Sequence, residues 1–126
     1  MPHITLEYTT NVETPDSFRP LLLQIHRQVN LITGVDIGNC KSRVRPADTF
    51  LIGEDGMGLS FIHLQVRFIE GRNAQSKQQL GSVLCGLLQS YFSIDPTSTN
   101  TQITVEIGDI RLNEYTKFPT GTLTRQ

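Results

Sequence analysis

The residues of this chain best suited to chemistry stand at its beginning. Methionine ahead of a small residue is usually removed, and in Met1-Pro2 proline qualifies, so the mature chain is expected to begin at Pro2. A terminal proline is a secondary amine. Free α-amino groups titrate at about 7.7–8.0, and burial or neighbouring cations favour their neutral form. A base poised near neutral pH is what proton abstraction next to a carbonyl requires. Pro2 shares the parity of Ile4, Leu6 and Tyr8, so it heads the apolar face of the strand they predict. If Met1 stays, the nitrogen of Pro2 is an amide without useful basicity.

Two sets of cations could serve that amine. Lys41-Ser42-Arg43-Val44-Arg45 opens a second strand, and in a parallel strand-helix-strand unit both strands begin at the same end. Arg72, in Gly71-Arg72-Asn73, stands where a third strand gives way to a helix. A helix start carries partial positive charge, so arginine there makes sense with an anion between the two. The plainer readings are a solvated basic run for residues 41–45 and a surface pair between Arg72 and Glu70. A neutral amine ringed by cations suits a small substrate with more than one carboxylate, whose enolate charge the cations would offset.

The elements that position these groups repeat. Ile4, Leu6 and Tyr8 alternate, as do Ile62, Leu64, Val66 and Phe68, at an offset of 58. Leu22, Ile25, Val29 and Ile32 have helical spacing, and the same offset carries the first three to Leu80, Val83 and Leu87. Ser17 is expected to cap the first helix with Pro20 in its first turn, and Asn73 the second, which runs toward Phe92. Gly34 and Asp95-Pro96 are stops, and further strands follow at about residues 39–45 and 101–107. Residues 53–58 form a loop or hairpin between the halves, and the tail after Ile110 should be irregular or pack on a partner. The expected fold is α/β (α+β): duplicated β-α-β units, pseudo-repeats of about 2–52 and 60–110, in one domain over 1–126. They form a four-stranded mixed sheet with both helices on one face. The other face is left bare, and a bare apolar face on a chain of this size predicts oligomerisation. Ser60, the counterpart of Pro2, is internal, so one active site per chain is expected.

Composition excludes several classes. With 126 residues the chain holds one domain of ordinary size. Eleven basic and twelve acidic residues give a net charge of −1, which offers no field for nucleic acid or a membrane surface. No apolar run approaches the roughly 20 residues of a membrane span, and the first residues lack a secretory signal. Cys40 and Cys85 have no metal or redox spacing, which suits reduced thiols and a cytoplasmic setting. His3, His26 and His63 lie in different elements without partners at ligand spacing, so no metal site is expected. Turn chemistry accounts for Asp48, Glu54 and Asp55, and Gly53, Gly56 and Gly58 form no phosphate loop.

A set of short stretches then carries a resemblance along the whole chain: Met1-Pro2-His3, Ser42-Arg43-Val44, Asp48-Thr49, Phe61-Ile62-His63, Gly71-Arg72 with Ser76-Lys77-Gln78-Gln79, and Val105-Glu106-Ile107. The chain resembles the tautomerase superfamily and, within it, the 5-carboxymethyl-2-hydroxymuconate delta-isomerase family. The resemblance implies a tautomerase-like homotrimer without metal or organic cofactor. It implies a 1,3-allylic proton shift on an unsaturated 2-hydroxy or 2-oxo polycarboxylate, in aromatic-compound catabolism. Pro2 would be the base and Arg72 one of two family arginines. The second falls at Lys41, which keeps the charge but loses the bidentate fork; Arg43 or Arg45 would compensate, with Lys41 and Arg43 as substrate-binding residues. The alternative is a trimeric relative that binds a small anion or a partner without turnover.

Overall fold

In a computed structural model that describes residues 1–54 and 57–119, two β-α-β units share one sheet. Strand β1 (His3–Thr9), helix α1 (Arg19–Thr33) and strand β2 (Lys41–Ala47) form the first. Strand β3 (Ser60–Ile69), helix α2 (Ala74–Tyr91) and strand β4 (Thr101–Ile110) form the second. The strand order is β2-β1-β3-β4. Both β1-β2 and β3-β4 are parallel, and β1 and β3 meet antiparallel at the centre. Because β2 and β3 lie on opposite sides of β1, the connection between the halves crosses the sheet end and is a loop, not a hairpin. Asp55 and Gly56 of that loop lie outside the described residues.

Alternation in the central strands drives the core. Ile4 and Leu6 of β1 and Ile62, Leu64, Val66 and Phe68 of β3 are fully buried under the helices. Each full burial of such a side chain is worth roughly 1.5–3 kcal/mol. The helices contribute Leu21, Ile25 and Val29, and Leu80, Leu84 and Leu88, at intervals of four. The buried stripe of α2 therefore keeps the expected Leu80 but continues one residue on from the expected Val83 and Leu87; Val83 is 36% exposed and Leu87 only partly buried. The offset between halves is 58 for the central strands, 59 for the helix stripes, and 61 for the outer strands, where Ser42 and Val44 correspond to Ile103 and Val105. The second unit is one residue longer before its helix and two longer after it.

Helix ends follow local chemistry. Pro20 lies in the first turn of α1, and Gly34 closes the helix in the left-handed conformation, φ 79°, its N–H donating to Asn30 O at 2.8 Å. Asn73 caps α2 by accepting from Ser76 N at 2.7 Å. Ser17 does not cap α1. Phe18 holds the cap position with backbone already helical, and Ser17 Oγ only accepts from Arg19 N at 3.2 Å. Phe18 packs its ring against Tyr8 and Phe92 at 5.4 and 6.1 Å, which anchors the helix start by packing instead.

The second face of the sheet is uncovered, as expected, but it is not apolar. The alternation that turns Ile4 and Leu6 inward turns Thr5 and Glu7 outward, beside Arg43, Arg45, Gln65 and Glu106. Any association through this face is polar. The tail packs on its own chain: a 3-10 turn at Leu112–Glu114 donates Leu112 N–H to Glu70 Oε2 at 2.9 Å, and Tyr115 reaches His3. Residues 120–126 of the tail lie outside the described residues.

The observed helix stripe has a direct test. Leu84→Ala should lower unfolding free energy by about 2–5 kcal/mol, the cost of a core cavity, whereas Val83→Ala should cost about 1 kcal/mol or less. Urea unfolding of the two variants measures both, and equal losses would return the stripe to Val83.

Candidate active site

The sheet register assembles the site. His3 lies opposite Lys41 on one side and Arg67 on the other. One residue earlier, Pro2 accepts a hydrogen bond from Lys41 N–H at 3.0 Å and reaches the level of Phe68. Pro2 is buried and Met1 half-buried. The end of β3 thus lies beside the start of β1, and Arg72, three residues beyond Ile69, is brought to the same corner.

Arg72 is held by main chain. Its Nε donates to Thr33 O at 3.3 Å and its Nη1 to Ile69 O at 3.4 Å. Its guanidinium lies over the buried Phe68 ring, 5.7 Å from the centroid, a favourable cation–π arrangement. Thr33 is the last residue of α1, so Arg72 also complements the negative end of that helix. The surface pair with Glu70 is not formed, because Glu70 accepts from Leu112 N. Burial lowers the Arg72 pKa, which still leaves so strong a base charged.

The terminal amine of Met1 is held below the usual α-amino range. Burial is the largest cause, then the charges of Lys41 and Arg72; Cys40 opposes them and Lys117 adds to them. Burial in turn pushes the Cys40 thiol up, so it is protonated at neutral pH. Three cations from three separate segments therefore act on one nitrogen. Lys117 was not foreseen: its segment has no periodicity, and no local signal ties it to β1.

Arg43 points elsewhere. It lies on the same face as Lys41, but its Nη2 donates to His3 Nδ1 at 2.9 Å and its Nε to Thr5 Oγ1 at 3.4 Å. A guanidinium has only donors, so His3 Nδ1 carries no proton here. His3 is then the Nε2–H tautomer and donates to the phenolic Tyr115 Oη at 2.6 Å. Lys41 Nζ donates to Asn39 O at 3.4 Å and is exposed.

The remaining candidates are spread out. His26 shares a 2.9 Å hydrogen bond with Ser42 and links α1 to β2. His63 contacts Thr104 at 2.6 Å and Glu106 at 3.5 Å on the uncovered face. Among the described residues, no three His, Cys, Asp or Glu side chains are grouped to hold a metal. Asp48 and Glu54 are exposed, and Cys85 packs against β4 near Ile103 O. A groove of about 360 Å³ lined by Glu7, Phe61, His63 and Asn100 lies at the opposite end of the sheet from Pro2. Among the described residues, no helix is long and apolar enough to cross a membrane.

Comparison with known proteins gives one family match and a wider set of proteins that share the fold. Residues 2–119 match the family model for 5-carboxymethyl-2-hydroxymuconate isomerase. The 5-carboxymethyl-2-hydroxymuconate Delta-isomerase of Escherichia coli is 22% identical over 110 residues, 87% of each chain. The crystal structure of a 5-carboxymethyl-2-hydroxymuconate isomerase from Deinococcus radiodurans R1 superposes with a TM-score of 0.75 at 25% identity, covering 92% of this chain and 87% of that one. A fused 4-OT symmetric trimer shares the fold with a TM-score of 0.70 at 16% identity, covering 93% and 92%.

The His3 arrangement makes a pH prediction. Burial, then Arg43, Lys41 and the terminal amine, lower the His3 pKa below 6.5 in the folded protein. The unfolded chain then binds a proton that the folded chain refuses, so the contribution to stability is full above about pH 6.5 and is lost as pH falls through the folded pKa. Nitrogen NMR of the imidazoles should show His3 as the Nε2–H tautomer, titrating below its unfolded value. Titration at or above that value would exclude the Arg43–His3 contact.

Proposed function

This chain belongs to the 5-carboxymethyl-2-hydroxymuconate isomerase family, with the tautomerase fold, and on that premise we propose that the amine of Pro2 is its catalytic base. The substrate in this reading is an unsaturated 2-hydroxy or 2-oxo polycarboxylate, of the kind met in aromatic-compound breakdown. The observation that carries the reading is the setting of the chain's start: a buried corner where Lys41 and Arg72 depress the basicity of the terminal amine.

Removal of Met1 makes Pro2 a secondary amine in that corner. Burial and like charge would there favour its neutral form, the one that can accept a proton. It takes the proton from one carbon or from the enol hydroxyl. The electron pair released moves through the conjugated system, and the ammonium returns the proton to the far carbon. The sum is an isomerisation with no oxidant or reductant. Arg72 and Lys41 hold the carboxylates and offset charge developing on the enolate oxygen. Arg72 is already aimed by Thr33 O and Ile69 O, so little of its freedom is lost on binding. Arg43 lies two residues along the same face as Lys41, but its guanidinium is engaged with His3 and Thr5, so in this reading it orients His3 and does not hold the substrate. A chain that keeps Met1 has an amide at Pro2 and is confined to the second reading, binding of a small anion or partner without turnover.

The working unit in this reading is a homotrimer, supported by the uncovered sheet face and by the trimeric form of the fused 4-OT relative. The free thiols Cys40 and Cys85 accord with a cytoplasmic setting.

Intact mass first establishes a Pro2 terminus. Pro2→Ala should then lower kcat by about 10²–10⁴, the share of a general base. Arg72→Ala should raise KM and lower kcat together, and unaffected kinetics would remove Arg72 from the site. Protein with a verified Pro2 terminus and no turnover on such substrates leaves only the binding reading. Gel filtration should give three times the chain mass; a monomer would refute the trimer.

A further inference from the structure

We propose that segment 112–117 is a specificity strap, in which Lys117 holds an additional carboxylate of the substrate and Tyr115 positions it. The inference deepens the isomerase reading and uses the same site.

The strap is fastened at two points. Leu112 N–H donates to Glu70 Oε2 at 2.9 Å, just beyond the end of β3. Tyr115 Oη accepts from His3 Nε2–H at 2.6 Å, at the start of β1, and the two rings meet edge-on at 5.9 Å. Between these points the chain crosses the end of the sheet at which Pro2 lies. The second fastening is itself fixed, because Arg43 occupies His3 Nδ1 and so dictates which ring nitrogen faces Tyr115.

Lys117 follows two residues later. It is half-buried and close enough to the terminal amine to act on it, as Lys41 and Arg72 do. Among the described residues, the carboxylates in ion pairs are Glu106 with His63, Asp109 with Lys77 and Glu114 with Arg111. None serves Lys41, Arg72 or Lys117. Among the described residues, Arg72 and Lys41 bond only to carbonyl oxygens. Among the described residues, then, the three cations that act on the terminal amine are paired with no carboxylate. Like charges held together in a partly buried corner repel unless an anion lies between them. Two would hold a dicarboxylate; the third suits a substrate with a further carboxylate. Lys117 also answers the loss of the bidentate fork at Lys41 by adding a separate donor.

The test is binding by protein with a verified Pro2 terminus, followed by calorimetry, with two unreactive probes: propane-1,2,3-tricarboxylate and pentanedioate. The unaltered protein should prefer the tricarboxylate. Lys117→Met should weaken it about 10- to 100-fold, the loss of one hydrogen bond between charged groups, and hardly change pentanedioate. Tyr115→Phe should shift the same preference in the same direction, and the double variant should be no weaker than Lys117→Met alone. In turnover, both changes should raise KM for a tricarboxylate substrate more than for a dicarboxylate one. Equal weakening of both probes, a preference that survives Lys117→Met, or no preference in the unaltered protein overturns the strap. Protein that shows the preference but turns nothing over loses the isomerase reading and keeps the strap. An active enzyme whose Lys117→Met variant keeps the preference does the reverse.

Discussion

The antiparallel pairing of β1 with β3 decides where every other group stands. Its register brings the first residues of the chain against the last residues of β3, and so brings Arg72 from one half to the terminal amine of the other. The parallel pairing of β1 with β2 then sets Lys41 beside His3. A slip of one residue in either ladder would turn each side chain to the opposite face. The fully buried Ile4, Leu6, Leu64 and Val66 make such a slip costly. The core therefore does more than stabilise; it fixes which charges meet at the corner.

That corner shows how a protein weakens a base without a dedicated acid-base partner. The means are burial and three positive charges from β2, the β3-α2 junction and the tail. Each is tethered differently: Arg72 by carbonyls at a helix end, Lys41 by the adjoining strand, Lys117 by a tail bonded to the uncovered face. The polar character of that face is thus part of the arrangement. An apolar face would have covered the same area but could not have fastened Tyr115 or turned Arg43 toward His3.

Much of this was legible in the amino-acid order, because the relevant physics is local or periodic. The alternation from Ile4 and Ile62 marked both central strands, Asn73 and Gly34 marked helix ends, and parity alone put Pro2 on the buried side. The failures have equally definite causes. Two positions of the α2 stripe fall one residue on because Leu84 and Leu87 both suit helical spacing, and only packing against α1 and β4 chooses between them. Ser17 lost the cap to Phe18 because an aromatic cluster outweighed a hydroxyl. Tyr115 and Lys117 were invisible because a bond from residue 115 to residue 3 has no signature in either neighbourhood.

The duplicated frame has a second end. There Ser60 stands where Pro2 stands, Gln102 replaces Lys41, and Glu13-Thr14 occupy the place of Arg72. Ser60 is buried like Pro2, but its hydroxyl is spent on Thr101 at 2.7 Å. The strand and helix order repeats while the cations and the chain terminus are missing. The molecule therefore carries its own blank: one scaffold end with the charged groups installed, and one in which the same scaffold has been left electrically quiet.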